Sequence, residues 1–182
     1  MTTIPASFDE NRPFLPVQIA VLTVSDTRTP ETDTSGDRLQ ALIEADGHSV
    51  IARTILKDDA DVIAARLTAW IDDPAIDCVV TTGGTGITGR DVTPEAFDRV
   101  LEKQIDGFGE MFRWLSFQKI ATSTVQSRAT AAVADGTYIF VLPGSTGACK
   151  DAWDDILIHQ LDYRHMPCNF VELMPRLKEH KA

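Results

Sequence analysis

The chain has 182 residues, of which 43% are hydrophobic, and this length supplies one sizeable core and favours a single domain. Lys and Arg total 17 against 27 Asp and Glu, and the formal net charge of −10 argues against a nucleic-acid-binding protein, which would normally show a basic face. It does not exclude a phosphate-bearing small molecule, because charges more than about 8 Å apart are largely screened at physiological salt.

The cysteines and the terminal segments bear on the cell compartment. Cys78, Cys149 and Cys168 are scattered, a pattern that predicts neither disulfides nor a zinc site and favours a reducing cytoplasm. The histidines have no metal-ligand spacing, and no stretch approaches the roughly 18 apolar residues of a membrane span. We therefore expect a cytoplasmic protein with no membrane or nucleic-acid partner.

The expected parts of the chain are a flexible segment over residues 1–15, one domain over 16–170 and a tail over 171–182.

Predicted strands and helices alternate from the start of this domain. The apolar, β-branched run 16–24 predicts a strand buried on both faces, and a helical pattern over 38–48 closes at Gly47. Residues 49–56 predict a second strand, and residues 61–73 predict a second amphipathic helix. This order is typical of a parallel sheet crossed by helices.

The second half of the chain continues the alternation. Residues 76–82 predict a third strand, and Thr93 as N-cap with Pro94 as first helical residue predicts a helix running towards Gln104. The remaining segments are an apolar stretch over 107–120, a predicted helix over 127–136, a strand over 137–143 and a closing helix over 148–164. We therefore predict an α/β fold with three layers, in which a doubly wound, mostly parallel sheet has helices on both faces.

A glycine-rich loop, GGTGITGRD, follows the third strand. Gly84, Gly86 and Gly89 fit G-x-G-x-x-G by letter count, but the dinucleotide fingerprint must open a helix directly and be followed by an acidic residue after the next strand. Here the helix signal comes later, at Thr93, and no strand with such a residue follows. A P-loop is excluded as well, because no G-K-[ST] follows the glycines.

The same loop can bind an anion. Gly83, Gly84 and Gly86 can adopt positive φ angles and expose their N–H groups, which would form a nest at the carboxyl end of a central strand. The alternative is that these glycines only make a tight turn. Asp91 favours the first interpretation, since a carboxylate beside an anion site needs a divalent cation between them, and Mg²⁺ is commonly held by carboxylates and substrate phosphates.

Two further loops lie between a predicted strand and a predicted helix. Pro143 to Gly147 offers backbone amides and the Ser145 hydroxyl to a phosphate, and Ser35 with Gly36 precedes the first helix. Plain turn chemistry and helix capping are the alternatives. In a parallel sheet all three loops would line one rim, which is where such sheets place ligands.

Several motifs resemble one protein family. TTGGTGITGRDVTPEA, GFGEMFRWLSF, STVQSRA, LPGSTGAC and PCNF are similar to the molybdenum-cofactor biosynthesis proteins of the MoaB and MogA type, whose domain is shared with the G domain of gephyrin-type proteins. The resemblance extends from Val17 to Phe170. GGTG followed by D-x-T-P-E is quite specific to this superfamily, and LPGST-x-AC with PCNF points to the MoaB branch.

The resemblance implies a doubly wound α/β fold and a homotrimer or homohexamer that binds the phosphorylated pterin molybdopterin. In MogA-type members it implies adenylylation of that pterin with ATP and Mg²⁺. The catalytic carboxylates would be Asp58 and Asp91, with Asp91 holding Mg²⁺ through the ATP phosphates. The expected substrate-binding residues are Ser35, Gly36, Thr82, Gly83, Gly84, Thr85, Gly86, Pro143, Gly144 and Ser145. The competing hypotheses are a non-catalytic molybdopterin-binding or scaffold protein, and a protein that shares only the fold.

The chain departs from the MoaB pattern at one cation. Gly147 stands where that pattern often has a lysine. The missing lysine weakens the assignment of the PGST loop as a phosphate-binding loop. Lys150, one helical turn later, is the candidate to supply this positive charge instead. Asp58, which some MoaB members lack, is retained and strengthens the enzymatic interpretation.

The segment GFGEMFRWLSF predicts an oligomer. Its large apolar side chains are Phe108, Met111, Phe112, Trp114, Leu115 and Phe117. They are too many for one helix face to bury within a small domain, so some should contact another subunit. The alternative is that all of them lie in the core of the monomer.

Overall fold

The computed structural model describes residues 7–181. The strands are β1 Ser7–Phe8, β2 Gln18–Val24, β3 Ser49–Leu56, β4 Cys78–Thr82, β5 Lys103–Gln104, β6 Thr130–Ala134, β7 Thr137–Leu142 and β8 His165–Met166. The α-helices are α1 Thr34–Ala45, α2 Ala60–Ile71, α3 Thr93–Phe97, α4 Asp106–Ile120, α5 Thr146–Ala152, α6 Ile158–Gln160 and α7 Phe170–Leu173. A π-helical turn, Trp153–Leu157, joins α5 to α6, and 3-10 helices cover Ala121–Gln126, Met174–Arg176 and Glu179–Lys181.

The main sheet is doubly wound, as predicted. Within the described residues its strand order is β3-β2-β4-β7-β6-β5. The chain passes from β2 to β3 on one side and then returns past β2 to β4 on the other side. β3, β2, β4 and β7 run parallel, while β6 pairs antiparallel with β7 and with β5. The central strands are buried on both faces, which is why they appear in the sequence as continuous apolar runs.

Helices cover both faces of the sheet and confirm the three layers. One apolar cluster joins Leu39 of α1, Phe112 of α4 and Trp153 after α5 to one face of the sheet. A second cluster joins Leu67 of α2 and Phe97 of α3 to the opposite face. Alternate residues of each strand enter alternate clusters, because successive side chains of a strand point to opposite faces.

The prediction of a helix over 127–136 is wrong, because residues 130–134 form β6. The two positive φ angles at Asp135 (42°) and Gly136 (81°) turn the chain directly back into β7. Asp-Gly is the strongest two-residue hairpin signal, and it outweighs the high helix propensity of the alanines before it. Antiparallel pairing with β7 then buries the small side chains on both faces of the sheet.

The predicted N-cap role of Thr93 and the predicted length of the helix that begins there are also wrong. Thr93 is the first helical residue, and its hydroxyl donates to the carbonyl of Gly83 (2.9 Å) instead of capping the helix. Its backbone N–H donates to the carbonyl of Gly84 (3.0 Å). The helix ends at Phe97 and does not approach Gln104. Thr93 is therefore used to hold the glycine-rich loop, which local capping rules do not anticipate.

The described parts of both terminal segments pack on the domain. β1 pairs antiparallel with β8, and the Phe14 ring lies 5.1 Å from the His48 ring, centroid to centroid. The expected flexible segment also includes residues 1–6, and the expected tail includes residue 182; both lie outside the described residues. Across residues 7–181, the helices are all too short or too polar to cross a membrane.

Candidate functional site

The loops after β4 and β7 lie at the same edge of the sheet, as predicted. Thr82 and Leu142 are paired in register, and Gly83 N–H donates to the Leu142 carbonyl (3.1 Å). The Thr82 hydroxyl donates to the Pro143 carbonyl (3.0 Å). These bonds fix the PGST loop beside the glycine-rich loop. They also occupy the Gly83 N–H, so this group is not available to the predicted anion nest.

Two glycines are required by close approach. Gly83 and Gly84 have φ angles of 99° and 62°, a region that side chains disfavour. A Cβ at Gly83 would lie 2.1 Å from the Val24 carbonyl oxygen, and one at Gly84 would lie 2.6 Å from Asp58 Oδ1. The bare backbone therefore brings the loop into contact with the end of β2 and with Asp58.

The first of two adjoining cavities holds both predicted carboxylates. We name this space of about 180 Å³ the acidic cavity. Its lining consists of Thr23, Val24, Ser25, Arg28, Asp33, Ser35, Asp58, Thr82, Gly83, Gly84, Asp91 and Gly144. Asp58 after β3 and Asp91 in the glycine-rich loop thus come together across the ends of different strands, as the parallel topology requires.

The second space, of about 500 Å³, is named the hydroxyl cavity. The predicted residues in its lining are Gly84, Thr85, Gly86, Asp91, Pro143, Gly144 and Ser145. It also contains Ser116, Lys119, Ser123, Thr124 and Ser127, which the sequence analysis did not assign. Gly84, Asp91 and Gly144 line both cavities, so the two spaces adjoin each other.

Gly36 is the predicted residue that lies outside both linings. Its N–H donates to Asp33 Oδ1 (2.9 Å), and a Cβ there would come within 2.1 Å of Asp33 Oδ2. Gly36 therefore belongs to the first turn of α1. Helix capping, the alternative interpretation of this loop, therefore applies to Gly36, because the N-cap residue Asp33 accepts its N–H.

Asp58 is a partly buried carboxyl group in a negative environment. Burial raises its pKa, and the charges of Asp26 and Asp91 raise it further. Asp26 also accepts the Asp58 backbone N–H (3.3 Å) and forms an ion pair with Arg90 (2.7 Å). A cation at Asp58 would relieve this repulsion, because an opposite charge favours the ionised form.

Asp91 has the opposite electrostatic character. The Thr88 hydroxyl donates to its Oδ2 (2.5 Å) and holds the pKa of Asp91 below its ordinary value, and the Thr88 N–H adds a second bond (2.9 Å). The carboxylate therefore stays ionised while it closes the loop. Both bonds end on one oxygen, so Oδ1 can serve a cation.

The carboxylates fit a magnesium ion that shares its ligands with a substrate. Among residues 7–181, no group of three or more His, Cys, Asp or Glu side chains could hold a metal ion without other ligands. Mg²⁺ is commonly bound by one or two carboxylates, and water and phosphate oxygens complete its octahedral shell. The facing pair Asp58 and Asp91 provides such a partial site.

Arg128 supports the glycine-rich loop from beneath. Its guanidinium donates to the carbonyl oxygens of Gly86 (2.8 Å) and Asp91 (2.9 Å), more weakly to that of Thr85 (3.3 Å), and also to the Glu95 carboxylate. The planar guanidinium is suited to several bonds at once. Arg128 lies in the STVQSRA motif, but the motif alone does not indicate this role. The hydrogen-bond partners of Arg128 are more than thirty residues away in the sequence.

Replacing Arg128 by Met should lower the free energy of unfolding by about 2–3 kcal/mol and speed hydrogen exchange of the 83–92 amides, because several charge-assisted bonds are lost. Arg128→Lys should recover only part of this loss. The control is Arg113→Met, since Arg113 donates to one carbonyl, that of Ala129 (2.9 Å). Equal losses at Arg113 and Arg128 in denaturant unfolding would contradict the loop-holding role.

The candidate replacement for the missing lysine does not lie in either cavity lining. Lys150 forms an ion pair with Asp154 on its own helix, whereas Lys119 of α4 lines the hydroxyl cavity. Lys119 Nζ lies 2.6 Å from Asp151 and 3.0 Å from Asp155. Lys119 is therefore the cation that the fold places beside the PGST loop.

The chain is similar to a known protein family, to curated relatives and to solved structures. Residues 20–163 match the family model described as "Probable molybdopterin binding domain". The chain is 48% identical over 166 residues to molybdenum cofactor biosynthesis protein B of Escherichia coli K12, covering 91% of this chain and 96% of that protein. It is 44% identical over 146 residues to the Bacillus subtilis protein of the same name, covering 80% and 86%.

Solved structures give the same result. A crystal structure of a molybdenum cofactor biosynthesis protein B superposes with a TM-score of 0.83 at 36% identity, covering 94% of this chain and all of the other (100%). The tungsten cofactor synthesizing protein MoaB from Pyrococcus furiosus gives a TM-score of 0.70 at 33% identity, covering 78% and 91%. The α/β fold built from the strands above is therefore the fold of these proteins.

Proposed function

The chain belongs to the molybdenum cofactor biosynthesis protein B family, and from this premise we propose that it binds molybdopterin in the cytoplasm and adenylylates it with Mg-ATP. The observation that carries the proposal is the pair Asp58 and Asp91. The two carboxylates face one small cavity with pKa values displaced in opposite directions. Such separated pKa values cluster at functional sites.

The hydroxyl cavity is the proposed pterin site. Its volume of about 500 Å³ is within the range of about 300–1,000 Å³ typical of small-molecule sites. Ser116, Ser123 and Ser127 can exchange hydrogen bonds with the polar edge of a pterin. Lys119 also lines this cavity, but its charge is compensated by Asp151 and Asp155. The proposed pterin phosphate would lie near Gly84, Asp91 and Gly144, the residues that this cavity shares with the acidic cavity.

The proposed reaction requires positioning more than acid-base catalysis. A phosphate oxygen of the pterin is already ionised at neutral pH, so it attacks the α-phosphorus of ATP without a general base. Asp58 and Asp91 would hold Mg²⁺, which neutralises charge on the transferring group. The Arg128-supported loop would keep the reacting phosphates within reach of each other, because correct orientation alone removes much of the barrier.

Incubation with molybdopterin, ATP and Mg²⁺, assayed for pyrophosphate, tests this function. Pyrophosphate release supports the adenylyltransferase. Pterin binding without release would leave the non-catalytic binding or scaffold protein, and no pterin binding would leave only the shared fold. ATP without pterin is the control, since release must depend on the acceptor.

We also propose a homotrimer or homohexamer, supported by the outer face of α4. Phe108 and Phe112 are buried, but Met111, Trp114 and Phe117 are 47%, 61% and 51% exposed. The alternative that the whole segment lies in the monomer core is therefore wrong. An exposed apolar surface of this kind typically marks an interface.

Trp114→Glu combined with Phe117→Glu should dissociate the oligomer at micromolar concentration, since each aromatic anchor of an interface typically contributes about 2 kcal/mol or more. Light scattering coupled to gel filtration measures the mass. Val62→Glu is the control, because Val62 is 46% exposed on α2 at the opposite face of the sheet. A wild-type monomer, or an oligomer that survives both glutamates, would overturn the proposed interface.

A further inference from the structure

A third cavity of about 650 Å³ lies on the outer side of the loop that follows β2. We name it the basic cavity. The polar residues in its lining are Ser25, Asp26, Arg28, Thr29, Arg53, Thr54 and Lys57. It lies at the carboxyl end of β3, the edge strand of the sheet, and therefore on the same rim as the other two cavities.

The basic cavity has more positive than negative charge in its described lining. Its carboxylate, Asp26, forms an ion pair with Arg90 (2.7 Å) and also interacts electrostatically with Lys57. Arg53 is paired with Asp33 (2.8 Å) and with Asp37 (2.8 Å), so its charge is compensated. Within residues 7–181, Arg28 and Lys57 form no ion pair, and Arg28 donates only to the Thr32 carbonyl (2.9 Å). In a chain with a net charge of −10, such a local excess favours an anionic ligand.

The acidic cavity adjoins both of the other cavities. The acidic cavity shares Ser25 and Arg28 with the basic cavity, and it shares Gly84, Asp91 and Gly144 with the hydroxyl cavity. The two outer cavities have no described lining residue in common. The acidic cavity of Asp58 and Asp91 therefore adjoins a hydroxyl-lined space through one set of residues and the basic cavity through another.

This arrangement fits the geometry of phosphoryl and nucleotidyl transfer. The attacking and leaving oxygens lie roughly in line on opposite sides of the phosphorus. With the acceptor in the hydroxyl cavity and the α-phosphorus in the acidic cavity, the leaving group points away from the acceptor, and the basic cavity is a second space that adjoins the acidic cavity. We propose that the basic cavity binds the β- and γ-phosphates of ATP and the departing pyrophosphate, an assignment that rests on the proposed adenylylation.

The charges change in the direction that this cavity can stabilise. An oxygen of the pterin phosphate forms a bond to the α-phosphorus, and the bond from that phosphorus to the oxygen bridging to the β-phosphorus breaks. The bonding electron pair leaves with pyrophosphate, and the step needs no net proton transfer. Negative charge therefore grows on the leaving group, where Arg28 and Lys57 can donate charge-assisted hydrogen bonds.

The lining favours polyphosphate over the adenine base. The described residues of the basic cavity include no aromatic side chain on which a base could stack. Its donors are a guanidinium, an ammonium group and the hydroxyls of Ser25, Thr29 and Thr54, all of which bind phosphate oxygens well. A ligand with several phosphates should thus bind more tightly than one with a single phosphate.

Calorimetric titration with inorganic pyrophosphate, Mg-ATP and AMP tests this site without requiring turnover. Arg28→Gln with Lys57→Gln should weaken pyrophosphate and ATP by about tenfold or more and AMP much less, because AMP lacks the β- and γ-phosphates and of the two residues only Arg28 also lines the acidic cavity. The matched control is Arg66→Gln with Lys103→Gln. It removes the same charge from α2 and from β5, at the opposite edge of the sheet.

Lys57→Gln alone guards against a loop defect, because Lys57 is exposed whereas Arg28 also holds the Thr32 carbonyl. It should weaken pyrophosphate but not AMP. Equal weakening of AMP and ATP, or unchanged pyrophosphate affinity in the double variant, would overturn the assignment. Absence of turnover in the wild type would refute the proposed adenylylation, whereas the pyrophosphate titration decides the ligand of the basic cavity independently.

Discussion

Asp91→Asn and Asp58→Asn should each reduce pyrophosphate release on the order of a hundredfold or more and leave the protein folded. Loss of a metal-organising carboxylate removes several kcal/mol of transition-state stabilisation, and about 1.4 kcal/mol corresponds to a factor of ten. Steady-state turnover with molybdopterin, ATP and Mg²⁺ measures the effect. Molybdopterin affinity should change little, since the pterin itself is assigned to the hydroxyl cavity.

The structure shows why Asn is the informative replacement at Asp91. An amide oxygen can still accept the hydroxyl and N–H bonds from Thr88, so the loop keeps its closure while the charge is lost. Asp91→Ala would remove both bonds as well and confuse the two effects. Asp98→Asn serves as control, because Asp98 is exposed at the end of α3 and lies outside both cavity linings.

Asp58→Asn should lose activity without losing stability. The pKa of Asp58 is raised in the folded protein, so above that pKa the ionised group destabilises the folded state, and a neutral amide removes this cost. Thermal unfolding at pH 7 should therefore show an unchanged or higher melting temperature. An Asp91→Asn protein as active as wild type, or a melting temperature lowered in step with activity at Asp58, would contradict the catalytic roles.

Asp33→Ala should lower the free energy of unfolding by about 3–5 kcal/mol, the typical cost of breaking a buried ion pair. Asp33 is 1% exposed and accepts from Arg53 (2.8 Å), the Thr23 hydroxyl (2.8 Å) and the Gly36 N–H (2.9 Å). It therefore ties β2, β3 and the first turn of α1 together. The Ala variant leaves the partly buried Arg53 without this partner. Urea unfolding at pH 7 measures the loss.

The pH dependence of this contribution has a defined sign. Burial alone would raise the pKa of Asp33, but the bonds from Arg53, Gly36 and Thr23 outweigh it and lower the pKa. A lowered folded-state pKa gives stability that is present above the ordinary value of about 3.9 and is lost as the pH falls through the folded pKa. Asp33→Asn should thus show a flatter decline of stability below about pH 4 than wild type.

Asp37→Asn is the matched control for Asp33. Asp37 pairs with the same guanidinium (2.8 Å), but its side chain is 60% exposed, so its loss should cost at most about 1 kcal/mol. Equal destabilisation at the two positions would show that the buried bonds of Asp33 contribute no more than a surface ion pair.

Local sequence patterns were sufficient to predict the central sheet and the loops at its rim. The runs that became β2, β4 and β7 are apolar on both faces, and a parallel arrangement brings the loops that follow parallel strands to the same edge. Asp58, which was assigned through the family resemblance, follows β3 and therefore falls on the same rim as Asp91, 33 positions further along the chain. These conclusions rest on local periodicity and on topology, both of which a single sequence contains.

Tertiary structure alone decided which groups of the rim are free. The Gly83 N–H donates to the Leu142 carbonyl, and the Thr93 hydroxyl donates to the Gly83 carbonyl instead of capping its helix. Arg128, from a segment distant in sequence, donates to three carbonyls of the glycine-rich loop. Residues 130–134 became a strand because pairing with β7 outweighs the helix propensity of alanine. Hydrogen-bond partners that are remote in sequence leave no local pattern. The basic cavity likewise exists only because folding places Arg28 beside Lys57.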